Sequence, residues 1–99
     1  MSFVTTRPEL LTAAAGDLQA IGAALTAGNQ AAAAPTSEVI PAAADEVSAL
    51  TAMQFCAQAQ WYQAVSAQAA ALHEMFVATL SASAGSYAAT EAANAVATA

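Results

Sequence analysis

The chain has one cation, one cysteine, three prolines and four glycines in 99 residues, and each scarcity excludes something. Cys56 stands alone, so it cannot close an internal disulfide, and with the single His73 it offers too few ligands for a zinc site. The two cannot act as nucleophile and base on one helix either, because seventeen residues at 1.5 Å per residue hold them ~25 Å apart. Lysine is absent, and Arg7 is set against Glu9, Asp17, Glu38, Asp45, Glu46, Glu74 and Glu91, for a formal net charge of −6. That balance repels a phosphate backbone or an anionic lipid surface and excludes nucleic acid as a partner. No apolar run reaches the ~18 residues of a membrane span, so no transmembrane segment is expected. The N-terminus lacks the 7–15-residue apolar core of a cleavable secretory signal, so any export has to use another route.

What the chain does contain is apolar surface: 59% of residues are hydrophobic, 8% are charged, and alanine fills about one position in three. With Pro8, Pro35 and Pro41 as its only prolines, the chain reads as helix, connector, helix. Pro8 suits a first helical turn, where its missing N–H costs nothing, and Glu9 complements the positive end of the helix dipole. Leu11, Ala14, Leu18, Ile21, Leu25, Gly28 and Ala32 follow at alternating steps of three and four, a narrow seam over a first helix of about 8–33. Residues 34–40 form the connector, because each proline disfavours helical geometry in the residue before it. A second helix is predicted over about 41–84, a stretch free of glycine and proline, some 60–65 Å long at 1.5 Å per residue. Gly85 is placed to stop it at the C′ position, which leaves 85–99 as a small, polar tail.

The second helix has an apolar arc wider than the stripe an ordinary surface helix buries. Val47, Phe55, Trp61, Tyr62, Val65, Leu72, Met75 and Phe76 lie on it, bordered by a column of Leu50, Ala57, Ala64, Ala71 and Ala78 at steps of seven, and near the end the opposite face turns apolar too at Val77 and Leu80. Leu50, Phe55, Trp61, Tyr62, Val65, Leu72, Met75, Phe76 and Leu80 are the expected partner interface. That column is expected to approach helix 1, where Ala15 and Gly22 are also small. Cys56, Gln60, Gln63, Ser66, His73 and Glu74 read as the solvated face, on which a glutamate at Gln63 should be tolerated. The fold class is therefore all-α: an antiparallel two-helix hairpin, one domain over 1–99, that must bury its surplus apolar surface against another protein. No catalytic, cofactor-binding or metal-ligating set can be assembled from these residues.

Three elements in order are informative together: Pro8-Glu9 after Met-Ser-Phe-Val, Pro41-Ala-Ala-Ala-Asp45-Glu46-Val47-Ser48 opening helix 2, and Tyr87-Ala-Ala-Thr-Glu91 after it. Over essentially the whole chain they resemble the mycobacterial PE family, in a form without the long glycine-rich or enzymatic extensions of some members. The resemblance implies a non-enzymatic subunit of an obligate heterodimer with a PPE-family protein, in which the hairpin packs against two helices of the partner to complete a four-helix bundle. It also implies export of that complex, cytoplasmic before and secreted or surface-bound after, by a type VII (ESX) secretion system. Tyr87 and Glu91 match the family's Tyr-x-x-x-Asp/Glu export element, read by the secretion machinery. An EspG-type chaperone is implied on the PPE partner, and a host-interaction role after export. A self-associating hairpin of the WXG100 class is the alternative, although that class carries Trp-x-Gly in its turn and Trp61 here is mid-helix. Tyr87 and Glu91 are also spaced as an ordinary i,i+4 pair of a last helical turn.

Overall fold

The computed structural model describes residues 4–98, and among them it contains two α-helices and no strand. Helix α1 spans Pro8–Ser37 and α2 spans Glu46–Ala97. Pro8 takes the first helical position, the Leu10 N–H donates to the Arg7 carbonyl at 3.0 Å, and Glu9 lies in the first turn. The start of α1 thus follows the sequence.

Three boundaries differ from the sequence reading. Helix α1 continues past residue 33 and takes in Pro35. The proline sits in the last turn, behind the strong helix formers Ala31 to Ala34, so few backbone bonds remain for it to disrupt. The Thr36 and Ser37 hydroxyls donate back to the carbonyls of Ala32 and Ala33, both at 2.6 Å, and the Glu38 N–H donates to the Ala34 carbonyl at 3.0 Å. The connector is consequently 38–45 rather than 34–40. Helix α2 begins at Glu46 and not at Pro41, because Asp45 is the stronger start signal: its carboxylate accepts the Ser48 N–H at 2.6 Å, three residues on, as an N-cap does. This hydrogen bond, with a second one from the Ser48 side chain, holds the Asp45 carboxyl below its ordinary value.

The third difference is at Gly85. It does not stop α2, its backbone is not in the left-handed region, and the helix runs on to Ala97 through 85–97, where a tail was expected. One glycine costs a helix interior about 1 kcal/mol, less than the alanines on both sides of it return. A Cβ built on Gly85 would meet nothing within 4 Å, so the residue is not needed for close approach either.

The chain divides into two compact units. One is contiguous, Gly22–Leu72, and holds the end of α1, the connector and the beginning of α2, antiparallel about the connector. The other is built from the two ends of the chain, residues up to Ile21 with those from His73 onward. Within it the helices are also antiparallel, since Thr6 meets Glu91 and Leu18 meets His73.

Two outcomes follow. Gly85→Ala should raise the thermal midpoint by an amount equivalent to about 0.5–1 kcal/mol, read by circular dichroism; a fall would restore the helix-stop reading. Because the folded carboxyl of Asp45 titrates below its unfolded value, its contribution is complete above the ordinary carboxylate range and is lost as pH falls through the folded pKa. Asp45→Asn, which keeps a cap acceptor but cannot titrate, should remove that part of the acid-induced loss of helix when melts are compared between pH 7 and pH 3.

Candidate partner interface and export element

Burial in this chain is inverted. The buried apolar residues among those described are Ala15, Ala52, Ala59 and Ala84, and no large side chain is fully buried. In the contiguous unit, α2 turns Ala49, Ala52, Cys56, Ala59, Gln63 and Ser66 toward burial, at steps of three and four. In the terminal unit the same register continues with His73, Val77, Leu80, Ala84 and Glu91. On α1 the corresponding positions are Pro8, Leu11, Ala15 and Leu18 in one unit, and Gly22, Asn29 and Ala32 in the other. The buried positions on both faces are alanines, whose small side chains allow close helix approach, while the seam leucines Leu11, Leu18 and Leu80 are only half-buried.

This overturns two expectations. The column Leu50, Ala57, Ala64, Ala71 and Ala78 does not meet α1 but is exposed throughout. The face read as solvated supplies the seam instead, through Cys56, Gln63, Ser66 and His73. On α1 the seam shares Leu11, Leu18 and Ala32 with the expected one but uses Ala15, Gly22 and Asn29, each one residue beyond Ala14, Ile21 and Gly28. On the observed face Gln63 and His73 find carbonyl acceptors on α1, and the large aromatic residues of the arc stay outside the contact.

Polar side chains in the seam are satisfied across it. In the contiguous unit Gln63 Nε2 donates to the Asn29 carbonyl at 2.9 Å, while the Tyr62 hydroxyl donates to Asn29 Oδ1 at 2.7 Å. In the terminal unit His73 Nε2 lies 2.6 Å from the Leu18 carbonyl, so that nitrogen carries the proton. Among the described residues no buried side-chain polar atom lacks a partner. Asn29 and Thr6 were not singled out as site residues from the sequence. Asn29 had a legible signal, a polar residue seven after Gly22 in a seam of small ones; Thr6 had none.

The predicted interface residues mostly lie outside the seam. Leu50, Phe55, Trp61, Tyr62, Val65 and Leu72 are exposed in the contiguous unit, Trp61 to 68% despite its size. Met75 and Phe76 are exposed in the terminal unit, at 66% and 57%. Leu80 is different: it is half-buried at a seam position. Exposed large residues also occur on α1, at Leu10 and Ile21 in one unit and Leu25 in the other.

Near the end of α2, the helix carries both members of the Tyr-x-x-x-Glu motif, so Tyr87 and Glu91 lie four residues apart on a continuous helix. Tyr87 is about half exposed and lines an open concavity with Thr79, Ala82, Ser83, Ser86 and Thr90. Glu91 is half-buried, and its Oε1 accepts the Thr6 N–H at 3.2 Å and the Thr6 hydroxyl at 3.0 Å.

Comparison with known proteins decides the family. The PE family profile matches residues 4–94. The chain belongs to the PE family. It is 66% identical over 97 residues to PE family protein PE13 of Mycobacterium tuberculosis H37Rv, covering 98% of each chain. PE family protein PE8 of the same strain is 60% identical over 94 residues, which are 95% of this chain and 34% of PE8. PE-PGRS family protein PE_PGRS33 of the CDC 1551 strain is 60% identical over 95 residues, 96% of this chain and 20% of that protein. The chain therefore spans nearly all of PE13 but only a third and a fifth of the other two.

In this PE chain the Pro8-Glu9 pair opens α1, with Pro8 half-buried and Glu9 exposed. Among the described residues no group of three or more His, Cys, Asp or Glu could hold a metal ion. Helix α1 is long and apolar enough, by length and composition, to cross a membrane, although no unbroken apolar run in it does so. Alanine supplies most of that character, and the carbonyls of Leu18 and Asn29 are engaged by α2 side chains. The seam makes one clear demand on sequence. Gln63→Glu, expected to be harmless on a solvated face, should cost about 1–3 kcal/mol, because a carboxylate cannot donate to the Asn29 carbonyl and is left against it. Gln60→Glu on the exposed surface should leave the thermal midpoint unchanged.

Proposed function

We propose that this chain is the non-enzymatic half of a PE–PPE heterodimer. Its helices complete a four-helix bundle with two helices of a PPE-family protein, and the complex is a substrate of a type VII (ESX) secretion system. The observation that carries the reading is the inverted burial: alanine fills the interior while Phe55, Trp61, Tyr62, Leu72, Met75 and Phe76 face water. Each such side chain gains ~1.5–3 kcal/mol on full burial, so covering this face yields more than the chain's own seam can. Obligate interfaces have this character, that of a domain core cut in half. The secretion machinery reads the end of α2 at Tyr87 and Glu91, and an EspG-type chaperone engages the PPE partner before export. Before export the complex is cytoplasmic; afterwards it is secreted or held at the cell surface.

A second copy of the chain could cover the same face, which is the WXG100-like reading. The connector argues against it: Pro35-Thr-Ser-Glu-Val-Ile-Pro41 has no Trp-x-Gly, and Trp61 lies within α2. Co-expression with candidate PPE proteins separates the two readings. Phe55→Glu and Phe76→Glu should abolish soluble co-purification, because each buries an unpaired charge in an apolar interface, whereas Gln60→Glu should not. Tyr87→Ala should leave co-purification intact and deplete the complex from culture filtrate relative to lysate in a secreting mycobacterium. A monodisperse homodimer of the isolated chain, disrupted by the same phenylalanine substitutions, would favour the second reading.

A further inference from the structure

The two residues of the Tyr-x-x-x-Glu element face different surroundings. Glu91 continues the seam register of α2, seven residues after Ala84, and is half-buried. One of its carboxylate oxygens accepts both donors of Thr6, the backbone N–H and the hydroxyl, across eighty-five residues of chain. Thr6 lies just ahead of α1, where the helix presents unpaired N–H groups and the positive end of its dipole. A carboxylate there is favoured electrostatically as well as by its two hydrogen bonds. Tyr87, one turn earlier, is about half exposed and edges an open, shallow concavity lined by Thr79, Ala82, Ser83, Ser86 and Thr90.

We propose that Glu91 is a positioning residue whose carboxylate clasps the start of α1 to the last turns of α2, and that Tyr87 is the residue presented for recognition. The proposal rests on the export reading above and divides its two residues between separate tasks. The clasp needs an acceptor oxygen at residue 91 and a donor at residue 6, and it does not need a negative charge facing a receptor. A receptor that reads the acid directly has the opposite requirements.

The test uses the complex co-purified with its partner, with amide exchange at Thr6 as the physical readout and the filtrate-to-lysate ratio as the functional one. Glu91→Ala should accelerate exchange at Thr6 by about tenfold, the loss expected for a charge-assisted hydrogen bond, and should reduce export. Glu91→Gln, which keeps the acceptor oxygen and discards the charge, should restore most of the protection and most of the export. Thr6→Val removes the hydroxyl donor from outside the motif and should reduce export too, with little further effect in the Glu91→Ala background. Export lost in Glu91→Gln while Thr6 stays protected would overturn the proposal, as would normal export of Thr6→Val with accelerated exchange. Normal export of Tyr87→Ala would instead remove the export reading, while Thr6 protection in the Glu91 variants would still decide whether the clasp exists.

Discussion

Close approach of two helices along a seam of small residues is the constraint on which the rest of this structure depends. Ala15, Ala52, Ala59 and Ala84 are the buried positions, and the large apolar side chains of α2 lie outside the seam except Val77 and Leu80, which are half-buried in it. In most small proteins the large residues make the core and the alanines cover it. Here the order is reversed, and the intrachain contact contributes little hydrophobic stabilisation per residue. The aromatic surface is thus a direct consequence of the seam rather than a separate feature.

The alanine positions of the seam say little about register, since alanine against alanine fits nearly as well after a slip of one turn. The polar groups in it resist that slip. Gln63 and Tyr62 both address Asn29, in the side chain and the carbonyl, and His73 addresses the Leu18 carbonyl. Displacing either helix by a turn would leave these groups half-buried and unpaired, at a cost of about 1–3 kcal/mol each. Glu91 and Thr6 do the same in the terminal unit, where the connector does not constrain the chain. Polar residues inside an apolar interface serve specificity in this way in coiled coils as well.

The family assignment and the geometry bear on different questions. Identity to PE13 over nearly the whole of both chains fixes what the chain is related to. The geometry adds an interior of small residues beside an uncovered aromatic face, and that contrast is what the proposed heterodimer rests on. PE8 and PE_PGRS33 contain the matched segment within much longer chains, so a similar sequence occurs in proteins of different overall length.

The sequence by itself determined the all-helical class, the two long helices, the start of α1 at Pro8 and the surplus of apolar surface, because these depend on proline placement, propensity and composition, which are local. It also carried the family motifs at Pro8-Glu9 and at Tyr87 and Glu91. Tertiary structure decided which face of α2 turns inward. Periodicity marked the aromatic arc and a polar strip but could not show that Gln63 and His73 would be satisfied by α1 carbonyls, since those acceptors lie more than thirty residues away. Helix ends were decided by competition: Asp45 outweighed Pro41 as a start, and the alanines around Gly85 and Pro35 outweighed both as stops. The clasp between Thr6 and Glu91 was invisible to any local signal, because it exists only when the two ends of the chain are brought side by side.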